Sequence, residues 1–532
     1  MKKTKIPWPN FNKKNKLWIA LMFFWYDIDV NLEDIKSPLP PRKVILNTEV
    51  ENENIDPRVS LNEQEIKVES NIQNQPPVQI EKKKGSNKVF LFVFIGIILA
   101  ICIVLYLTLF RTNSINNQVV LKYWGLWEEE NVINGIIADF ESKNPNIKVD
   151  YKKNQLTGYA GRLNGRLAKS GETDDVPDVF RIHNTWIPMF RDNLAPVPKE
   201  SVIKIGLETD FFDVYKKDLI EGGEYLSVPL MYDGLVMFYN PELLNKVQAA
   251  VPNNWWDLKK TAVKVTERDE SGKIKIAGAA IGVVENVDHW SDIVGLMMKQ
   301  NGVNLNTMSA DNEKKMKDVL DFYTLFKTSD QVWDESLPNS TQYFASGNLA
   351  FYFGPSWRVF DIQALNPNLK FEIAGMPQLP TTASTPTDKI GAEAELTNIH
   401  WSTYWTEGVN NKSKHQKEAW KFLEYLSSPE VLEKTYQADS LLRSFGQIYP
   451  RKSMAEKISS NLKIKAFIDT ANNASSWYLA SETGDDGVNT EMQKYFKDAI
   501  NGILAGSKNS TDAVKTLLSG VSQLRQKYGL IK

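Results

Sequence analysis

The sequence has almost no cysteine, because Cys102 is the single one among 532 residues. It lies within an apolar run, so the rest of the chain has no disulfide, no cysteine-ligated metal site and no thiol nucleophile. The four histidines (His183, His289, His400 and His415) are scattered, and no Gly-x-Ser-x-Gly, phosphate-loop or His-Glu-x-x-His motif occurs. Charge bias is missing too, since 63 basic residues nearly balance 65 acidic ones. We therefore predict no cofactor, no metal and no nucleic-acid partner.

The longest apolar run extends from Val89 to Phe110 and contains no charged residue. At about 1.5 Å per residue, a helix of this length crosses the roughly 30 Å hydrocarbon core of a bilayer. Four lysines lie within 82–88, directly before the run, whereas Arg111 is the only basic residue directly after it. Basic residues concentrate on the cytoplasmic side of a span. We predict a single-pass cell-membrane protein with a cytoplasmic N-terminus and a transmembrane signal-anchor helix at 88–111.

Residues 1–87 are predicted to form a mostly disordered cytoplasmic tail. From 27 to 87 the segment is rich in Glu, Asn, Lys and Pro and shows neither helical nor strand periodicity. Leu17 to Tyr26 is apolar but too short to span a membrane, and no small-residue cleavage site follows it. This stretch is open to three interpretations: a short interfacial or partner-binding helix, an unstructured hydrophobic patch, or the result of a misassigned start codon.

After the apolar run the pattern becomes that of an α/β protein. Val119 to Trp124 has the β-branched and aromatic content of a strand, Glu128 to Lys143 carries apolar residues at helical spacing, and Ile147 to Tyr151 alternates like a second strand. This order predicts a βαβ unit, which needs a parallel sheet covered by helices. Ligands bind beyond the carboxyl ends of such strands, so residues 124–128, with Trp127 and Glu128 among them, are expected to line a site.

Eight segments occur in an order and at a spacing that are found together in one protein family. They are EEENVINGIIADFESKNPNIKVDY from Glu128, PDV from Pro177, YLSVPLMYDGLVMFYNPELL from Tyr225, VPNNWWDL from Val251, FASGNLAFYFGPSW from Phe344, AGMPQLP from Ala374, EGVNNKSKHQKEAWKFLEYLSSPE from Glu407 and YPRKSM from Tyr449. Each segment is short and tolerant, but eight in one order are hard to obtain by chance. From about 119 to 532 the chain resembles family 1 of the extracellular solute-binding proteins of carbohydrate ABC importers, and is similar to maltodextrin-binding proteins.

The resemblance implies a two-lobed, periplasmic-binding-protein-like fold of type II, with a central cleft and a hinge at which the lobes close on ligand. After a linker at 112–118, lobe 1 is expected at 119–231 and 391–445, and lobe 2 at 232–390 and 446–532. The implied function is capture of a carbohydrate outside the membrane, with an oligosaccharide as the first candidate. Its implied partners are the permease subunits of an ABC transporter, and no catalysis is expected.

The resemblance also implies individual ligand contacts. Asp233 follows Val-Pro-Leu-Met-Tyr at the first crossing between the lobes, and both Asp233 and Glu285 correspond to carboxylates that accept hydrogen bonds from sugar hydroxyls. Trp357, at the end of the FYFGPSW segment, corresponds to a tryptophan that stacks on a sugar ring.

One loop departs from the maltodextrin-binding pattern. Asn184, Thr185 and Trp186 stand where those proteins place polar and charged sugar contacts, but Thr185 and Trp186 carry no charge. The departure leaves open whether the sugar is a maltodextrin.

The residue types also fit a sugar site without the resemblance. A pyranose has an apolar C–H face and a rim of hydroxyls, so its site needs aromatic planes and hydrogen-bonding side chains. Both kinds are supplied by Trp127, Trp186, Trp357 and Trp405 together with Glu128, Asp233 and Glu285. The crossings that the resemblance implies add Tyr404, Glu407 and Trp477 as candidates, and the loop discussed above adds Asn184 and Thr185. His183 also lies near the expected cleft.

Other functions remain open. The lobes would also suit a surface glycan receptor or sensor that is not coupled to import. The ligand could be a peptide, a polyamine or glycerol phosphate, and for a phosphate group Arg358 and Arg443 are candidates. A remote alternative is a glycoside hydrolase that uses two of Glu128, Asp233 and Glu285 as acid and base.

Overall fold

The computed structural model describes residues 92, 94–105, 118–173, 175–307, 309–380 and 395–530, all within the unit 87–532. The predicted disordered tail and its apolar stretch lie outside these residues. Residues 94–105 are helical, and their large apolar side chains are exposed. No helix within the described ranges combines the length and the apolar content that a membrane crossing requires. The predicted span at 88–111 is only partly covered by these ranges and stays a prediction.

The described strands form two larger sheets and a two-stranded ribbon. They are β1 (Val119–Gly125), β2 (Ile147–Lys153), β3 (Val179–His183), β4 (Ile220–Glu221), β5 (Glu224–Tyr225), β6 (Val228–Pro229), β7 (Gly234–Tyr239), β8 (Glu267–Arg268), β9 (Ile274–Ala279), β10 (Leu349–Gly354), β11 (Glu372–Ala374), β12 (His400–Ser402), β13 (Trp405–Val409) and β14 (Ala474–Ser475). The first sheet has the order β2-β1-β3-β13-β6. The second has the order β14-β12-β7-β10-β9-β8, with β11 also paired to β7, and β4 and β5 form the ribbon.

Helices pack against both sheets. In chain order they are α1 (Glu130–Lys143), α2 (Tyr159–Leu167), α3 (Ile187–Phe190), α4 (Lys199–Ile205), α5 (Asp213–Leu219), α6 (Pro241–Lys246), α7 (Trp255–Val265), α8 (Trp290–Gln300), α9 (Ala310–Thr328), α10 (Ser340–Ala345), α11 (Arg358–Leu365), α12 (Gln416–Leu426), α13 (Pro429–Ser440), α14 (Lys452–Ala455), α15 (Leu462–Ala471), α16 (Val488–Leu504) and α17 (Ser510–Lys527). Short 3-10 turns occur at Asn184–Trp186, Arg191–Asn193 and Glu456–Ile458.

The predicted βαβ unit is confirmed. Strands β1 and β2 pair in parallel along their whole length, and α1 connects them. The buried residues of α1 are Ile133, Ile136, Ile137 and Phe140. They recur at helical spacing and form the apolar face that packs on the sheet. Pro145 follows the end of the helix, where its missing N–H and fixed ring are tolerated.

The two sheets are the centres of two lobes, which we call lobe 1 (first sheet) and lobe 2 (second sheet). Within the described residues the chain passes between them three times: between β6 and β7, between β12 and β13, and between α13 and α15. Helix α13 packs on α1 in lobe 1, whereas α15 packs on β7 and β11 in lobe 2. The architecture is therefore the two-lobed α/β fold that the family resemblance implied.

The second crossing lies later in the chain than the predicted boundary at 391. Strand β12 pairs with β7 and β14 of the second sheet, whereas β13 pairs with β3 and β6 of the first. The crossing is thus made by Thr403 and Tyr404, and residues 400–402 belong to lobe 2 rather than to lobe 1. A strand of three residues is too short for its side-chain pattern to reveal which sheet it joins.

Trp401 of β12 fixes helix α8 against the second sheet. Its buried indole donates from Nε1 to Oδ1 of Asp292 at 2.8 Å. The ring lies against Gly295, where an added Cβ would come within 2.4 Å of it, so only glycine permits this approach. The contact places the N-terminal end of α8, including Asp292, beside the crossing at Thr403 and Tyr404.

Candidate functional site

A cavity of about 460 Å³ lies between the two lobes. Lobe 1 lines it with residues after β1 and at the facing ends of β3 and β13, among them Trp127, His183 and Trp405. The first crossing contributes Asp233, and the turn after β10 contributes Trp357. The carboxyl ends of parallel strands and the space between lobes are where α/β proteins bind ligands. We therefore take this cavity as the candidate binding site.

Trp405 is the centre of an aromatic cluster on the lobe 1 side. Its ring centroid lies 5.0 Å from that of Trp127 and 5.2 Å from those of His183 and Trp186, in edge-to-face geometry. Such pairs are favourable beyond the area that they bury. Trp127 and Trp405 line the cavity, whereas Trp186 is fully buried behind them. The cavity thus has an aromatic wall whose ring orientations are held by packing.

His183 is a neutral support of this wall. Burial lowers its pKa to about 3. Its Nδ1 lies 2.8 Å from Oγ1 of Thr185, and its Nε2 lies 2.9 Å from Oγ1 of Thr403. The imidazole therefore ties the end of β3 to the second crossing by uncharged hydrogen bonds.

A buried ion pair lies beneath the same wall. Arg181 donates from Nε to Oε1 of Glu407 at 2.9 Å and also pairs with Glu128, while the Tyr123 hydroxyl donates to Glu407 at 2.8 Å. Burial by itself lowers the pKa of Arg181, but its interactions with Glu407 and Tyr123 together outweigh burial and raise the pKa, so the guanidinium stays charged. Its central carbon lies 5.3 Å from the Trp127 ring centroid, a cation–π contact that supports this indole from the protein side.

Asp233 is a buried carboxylate in the cavity wall. Its Oδ1 accepts hydrogen bonds from the backbone N–H groups of Gly234 at 2.8 Å and Ser356 at 2.9 Å, and its Oδ2 accepts from the Ser356 hydroxyl at 2.8 Å. Burial raises the pKa of Asp233 to about 7, although these hydrogen bonds oppose the shift. An ionised carboxylate accepts about four hydrogen bonds, so Oδ2 keeps capacity for a donor in the cavity.

Trp357 is the exposed aromatic residue on the lobe 2 side, with 38% of its surface accessible. The central carbon of Arg358 lies 4.1 Å from its ring centroid. Arg358 donates from Nε to Nε2 of His289 at 2.9 Å and from Nη1 to Asp361 at 3.0 Å. Because Nε2 accepts this bond, His289 carries its proton on Nδ1, which faces Oδ2 of Asp292 at 3.3 Å. Arg358 is thereby held over the ring of Trp357, and this exposed indole lines the cavity.

Among the predicted ligand contacts, four side chains line the cavity: Trp127, Asp233, Trp357 and Trp405. Glu128 and Glu407 do not line it, because both carboxylates are taken by the buried Arg181 guanidinium beneath the wall. Both carboxylates were predicted to contact a ligand, but in the structure they neutralise a buried guanidinium within lobe 1.

Two further predicted contacts meet at a buried carboxylate near the second crossing instead of in the cavity. Asn184 donates from Nδ2 to Oδ2 of Asp218 at 3.0 Å, and the Tyr404 hydroxyl donates to the same oxygen at 2.9 Å. Burial raises the pKa of Asp218, against the effect of these hydrogen bonds. This cluster joins the end of β3, helix α5 and the crossing.

The remaining predicted contacts also lie outside the cavity lining. Thr185 accepts a hydrogen bond from Asn489 at 2.6 Å, and Trp186 is buried in the aromatic cluster. Trp477 packs with its ring centroid 5.8 Å from that of Tyr478.

Glu285 lies at the surface of lobe 2. It pairs with Lys497 at 2.8 Å, and about half of its side chain is exposed. Its carboxylate is therefore directed to helix α16 rather than to the cavity.

Several residues that line the cavity were not predicted: His289, Asp292, Ser356, Phe360, Asp361, Phe445, Gln447, Ser481, Glu482 and Thr483. Ser356 directly precedes Trp357 in the FYFGPSW segment, so the motif itself could have indicated it. Arg443, considered only for a phosphate group, also lines the cavity and pairs with Asp439 at 2.8 Å. For residues 481–483 no motif gave a signal, because their position depends on how the last crossing returns to the cleft.

The described residues contain no group of three or more His, Cys, Asp or Glu side chains placed to hold a metal ion. Both histidines of the cavity are engaged, His183 by threonine hydroxyls and His289 by Arg358 and Asp292. The site as built offers aromatic faces and hydrogen-bonding groups.

Comparison with known proteins agrees with this geometry. The family model of the bacterial extracellular solute-binding proteins matches residues 135–461, more than half of the chain. The multiple sugar-binding protein of Streptococcus mutans is 23% identical over 339 residues, which are 62% of this chain and 76% of that protein.

Solved structures are similar in fold. The sugar-binding protein MalE of Xanthomonas citri has a TM-score of 0.59 at 20% identity and covers 78% of this chain and 99% of its own. The GacH receptor of Streptomyces glaucescens has a TM-score of 0.57 at 19% identity, with coverage of 77% and 99%. At these identities the structures show the fold alone, while the family match confirms the predicted resemblance. The chain belongs to the bacterial extracellular solute-binding proteins.

Proposed function

We propose that the protein captures a carbohydrate in the cleft between its lobes and delivers it to an ABC permease. An oligosaccharide is the first candidate. The observation that carries the proposal is the composition of one cavity: indoles of Trp127 and Trp405 from lobe 1, the exposed indole of Trp357 from lobe 2, and the Asp233 carboxylate at the crossing between them. Aromatic faces suit the C–H face of a pyranose, and a carboxylate acceptor suits its hydroxyl rim.

The names of relatives support the choice of ligand class. The relative from Streptococcus mutans is a multiple sugar-binding protein, and solved structures of similar fold hold mannobiose, mannotriose or maltotetraose. Two of the alternatives fit the cavity less well. Arg443, the basic side chain of the lining, is already paired with Asp439, which disfavours a phosphate ligand. The relatives are binding proteins rather than enzymes, which disfavours a glycoside hydrolase.

A sugar panel tests the ligand class. The full-length protein in detergent is heated with maltotriose, mannotriose, cellotriose, xylotriose, a tripeptide, spermidine or glycerol phosphate. A ligand that binds only the folded state raises the melting temperature, by an amount that grows with its concentration over Kd. We expect stabilisation by at least one trisaccharide; stabilisation only by the tripeptide, spermidine or glycerol phosphate would replace carbohydrate with that solute.

We also propose that the segment 88–111 anchors the protein in the cell membrane, with the binding lobes outside. The apolar side chains of helical residues 94–105 are exposed, for example Phe94 at 64% and Leu99 at 56%, and a lipid environment would cover them. The anchored protein is expected to stay in the membrane fraction after alkaline carbonate washing. A Leu99→Lys/Ile101→Lys variant should be released, and release of the wild type would refute the anchor.

An importer's binding protein delivers its ligand to a permease, whereas a free glycan receptor or sensor does not. If the protein serves import, a permease subunit is expected to co-purify with it after mild cross-linking in the presence of the stabilising trisaccharide. Sugar binding without any such subunit would favour the receptor.

A further inference from the structure

Glu482 has a backbone conformation that its residue type disfavours. It lies in the loop between β14 and α16, with φ of 58°. Among the described residues other than glycine, positive φ occurs also at Gln248 and Gln331, but of the three only Glu482 lines the cavity. A left-handed residue with a side chain costs free energy and persists where its surroundings hold it, often at functional sites.

Both lobes hold the loop in place. The Ser481 backbone N–H donates to Oδ2 of Asp292 at 3.2 Å, and the Ser481 hydroxyl lies 2.7 Å from that of Ser291, which anchors one side of Glu482 on helix α8 of lobe 2. On the other side, Gly484 packs so closely on lobe 1 that an added Cβ would lie 3.0 Å from Cγ of Leu156. The loop therefore bridges the lobes at the rim of the cavity.

The Glu482 carboxylate is weakly engaged within the protein. Its nearest cation is Nη2 of Arg358, at 4.0 Å, and half of the side chain is exposed. Arg358 itself is held more closely by Asp361 and His289, at 3.0 and 2.9 Å. No hydrogen bond to the Glu482 carboxylate occurs in the part of the chain that the structure describes. Its oxygens are thus acceptors without a hydrogen-bond partner, on a residue that lines the same cavity as Trp357.

We propose that Glu482 determines saccharide specificity by accepting hydrogen bonds from hydroxyls of the sugar ring that stacks on Trp357. The left-handed backbone is then retained at the expense of stability, because it directs this carboxylate into the cleft. The inference rests on the proposed carbohydrate function.

Replacement by glycine separates the two effects of this residue. Glu482→Gly relieves the disfavoured conformation, so it should raise the melting temperature of the free protein by about 2 °C. It also removes the carboxylate, so it should weaken binding of maltotriose or mannotriose, measured by calorimetry, by about 10- to 100-fold. Glu482→Gln keeps the size of the side chain and should change the ratio of the two affinities without raising the melting temperature.

A matched control is Gln248→Gly. Gln248 is exposed, has φ of 51° and lies outside the cavity lining, so glycine should stabilise the protein there too but leave both affinities unchanged. If the wild type binds a trisaccharide and Glu482→Gly binds it equally well, the specificity role is refuted while the proposed function stands. If Glu482→Gly melts at a lower temperature with unchanged affinity, Glu482 only pairs with Arg358. If the wild type binds no saccharide, the proposed function itself fails.

Discussion

At the scale of single residues, the cleft joins side chains that are rigid before any ligand arrives. The guanidinium of Arg358 covers one face of Trp357 at 4.1 Å, and His289 and Asp361 hold that guanidinium in place. A ligand that stacks on this exposed indole therefore meets a ring whose orientation is already fixed by the protein. Trp127 is supported in the same way by Arg181 on the opposite lobe.

The first prediction concerns Trp357. Trp357→Ala should weaken binding of the stabilising trisaccharide by about 1–3 kcal/mol, because it removes an exposed aromatic surface from the cavity wall. Calorimetric Kd values measure the effect. Trp477→Ala is the control, because Trp477 lies outside the cavity lining and packs on its neighbours. Equal Kd values for wild type and Trp357→Ala would remove Trp357 from the site.

The second prediction concerns the protonation of Asp233. Its pKa in the folded protein is about 7, against 3.8 for an ordinary aspartate, so between these pH values the folded state holds a proton that the unfolded chain has lost. Stability must then fall as pH rises through this window, by up to roughly 4 kcal/mol at 1.36 kcal/mol per pKa unit. Asp233→Asn should therefore unfold at higher urea concentration than the wild type at pH 8, with the difference shrinking toward pH 4.

The same carboxylate should make binding depend on pH. Sugar hydroxyls donate to the ionised form, so affinity is expected to rise as pH increases through 7, and binding at pH 6 should release protons. Calorimetry in buffers of different ionisation enthalpy counts those protons. The Asp233→Asn variant should lose this pH dependence, and a wild-type Kd that stays constant from pH 5.5 to 8 would exclude Asp233 as an acceptor for the ligand.

At the scale of elements, the antiparallel strands β3 and β13 hold both the aromatic wall on the lobe 1 side of the cavity and the buried ion pair beneath it. Trp405 pairs with His183 at the cleft end, and two residues further along, Glu407 pairs with Arg181. A strand advances about 3.4 Å per residue, so the ion pair lies roughly 7 Å below the rim. This depth explains why Glu407, chemically suited to a sugar, does not reach the cavity.

The third prediction tests that assignment. Glu407→Gln should destabilise the protein by about 3–5 kcal/mol in urea unfolding, because it leaves the buried Arg181 guanidinium short of a counter-charge. Glu285→Gln is the matched control: its partner Lys497 is exposed, and such surface pairs contribute at most about 1 kcal/mol. Equal stabilities of the two variants would contradict the buried pair.

What could be predicted follows from how local each signal is. The βαβ unit was predictable because the four buried residues of α1 recur at helical spacing within fourteen residues. Asp233 and Trp357 were indicated by segments that adjoin them. The engagement of Glu128 and Glu407 by Arg181 depends on three separate strands or loops meeting, which no local pattern encodes. The same holds for Glu482, whose position depends on contacts to both lobes.

At the scale of the whole molecule, the cavity belongs to neither lobe alone. Leu156 and Trp127 come from lobe 1, Trp357 from lobe 2, and the crossings contribute Asp233 and Thr403. The proposed carbohydrate would contact the whole lining only when both lobes face it, which is the condition for the predicted closure about a hinge.

The fourth prediction follows from this division. Saturating trisaccharide should slow amide hydrogen exchange in both lobes at once, around Leu156 in lobe 1 and around Trp357 in lobe 2, while the surface helix α9 is unchanged. Mass spectrometry of exchanged peptides measures the protection. Protection confined to one lobe would contradict closure, and Trp357→Ala should reduce protection in both lobes together.

The edge-to-face cluster around Trp405 also has a spectroscopic consequence. Indole rings with centroids 5.0 and 5.2 Å apart have coupled electronic transitions, so Trp127, Trp186 and Trp405 should produce a strong near-ultraviolet circular dichroism band from lobe 1. Trp357 in lobe 2 lies against a guanidinium and is exposed, so external quenchers can reduce its fluorescence. The circular dichroism band thus reports on lobe 1, and the difference in quenching between the wild type and Trp357→Ala reports on lobe 2.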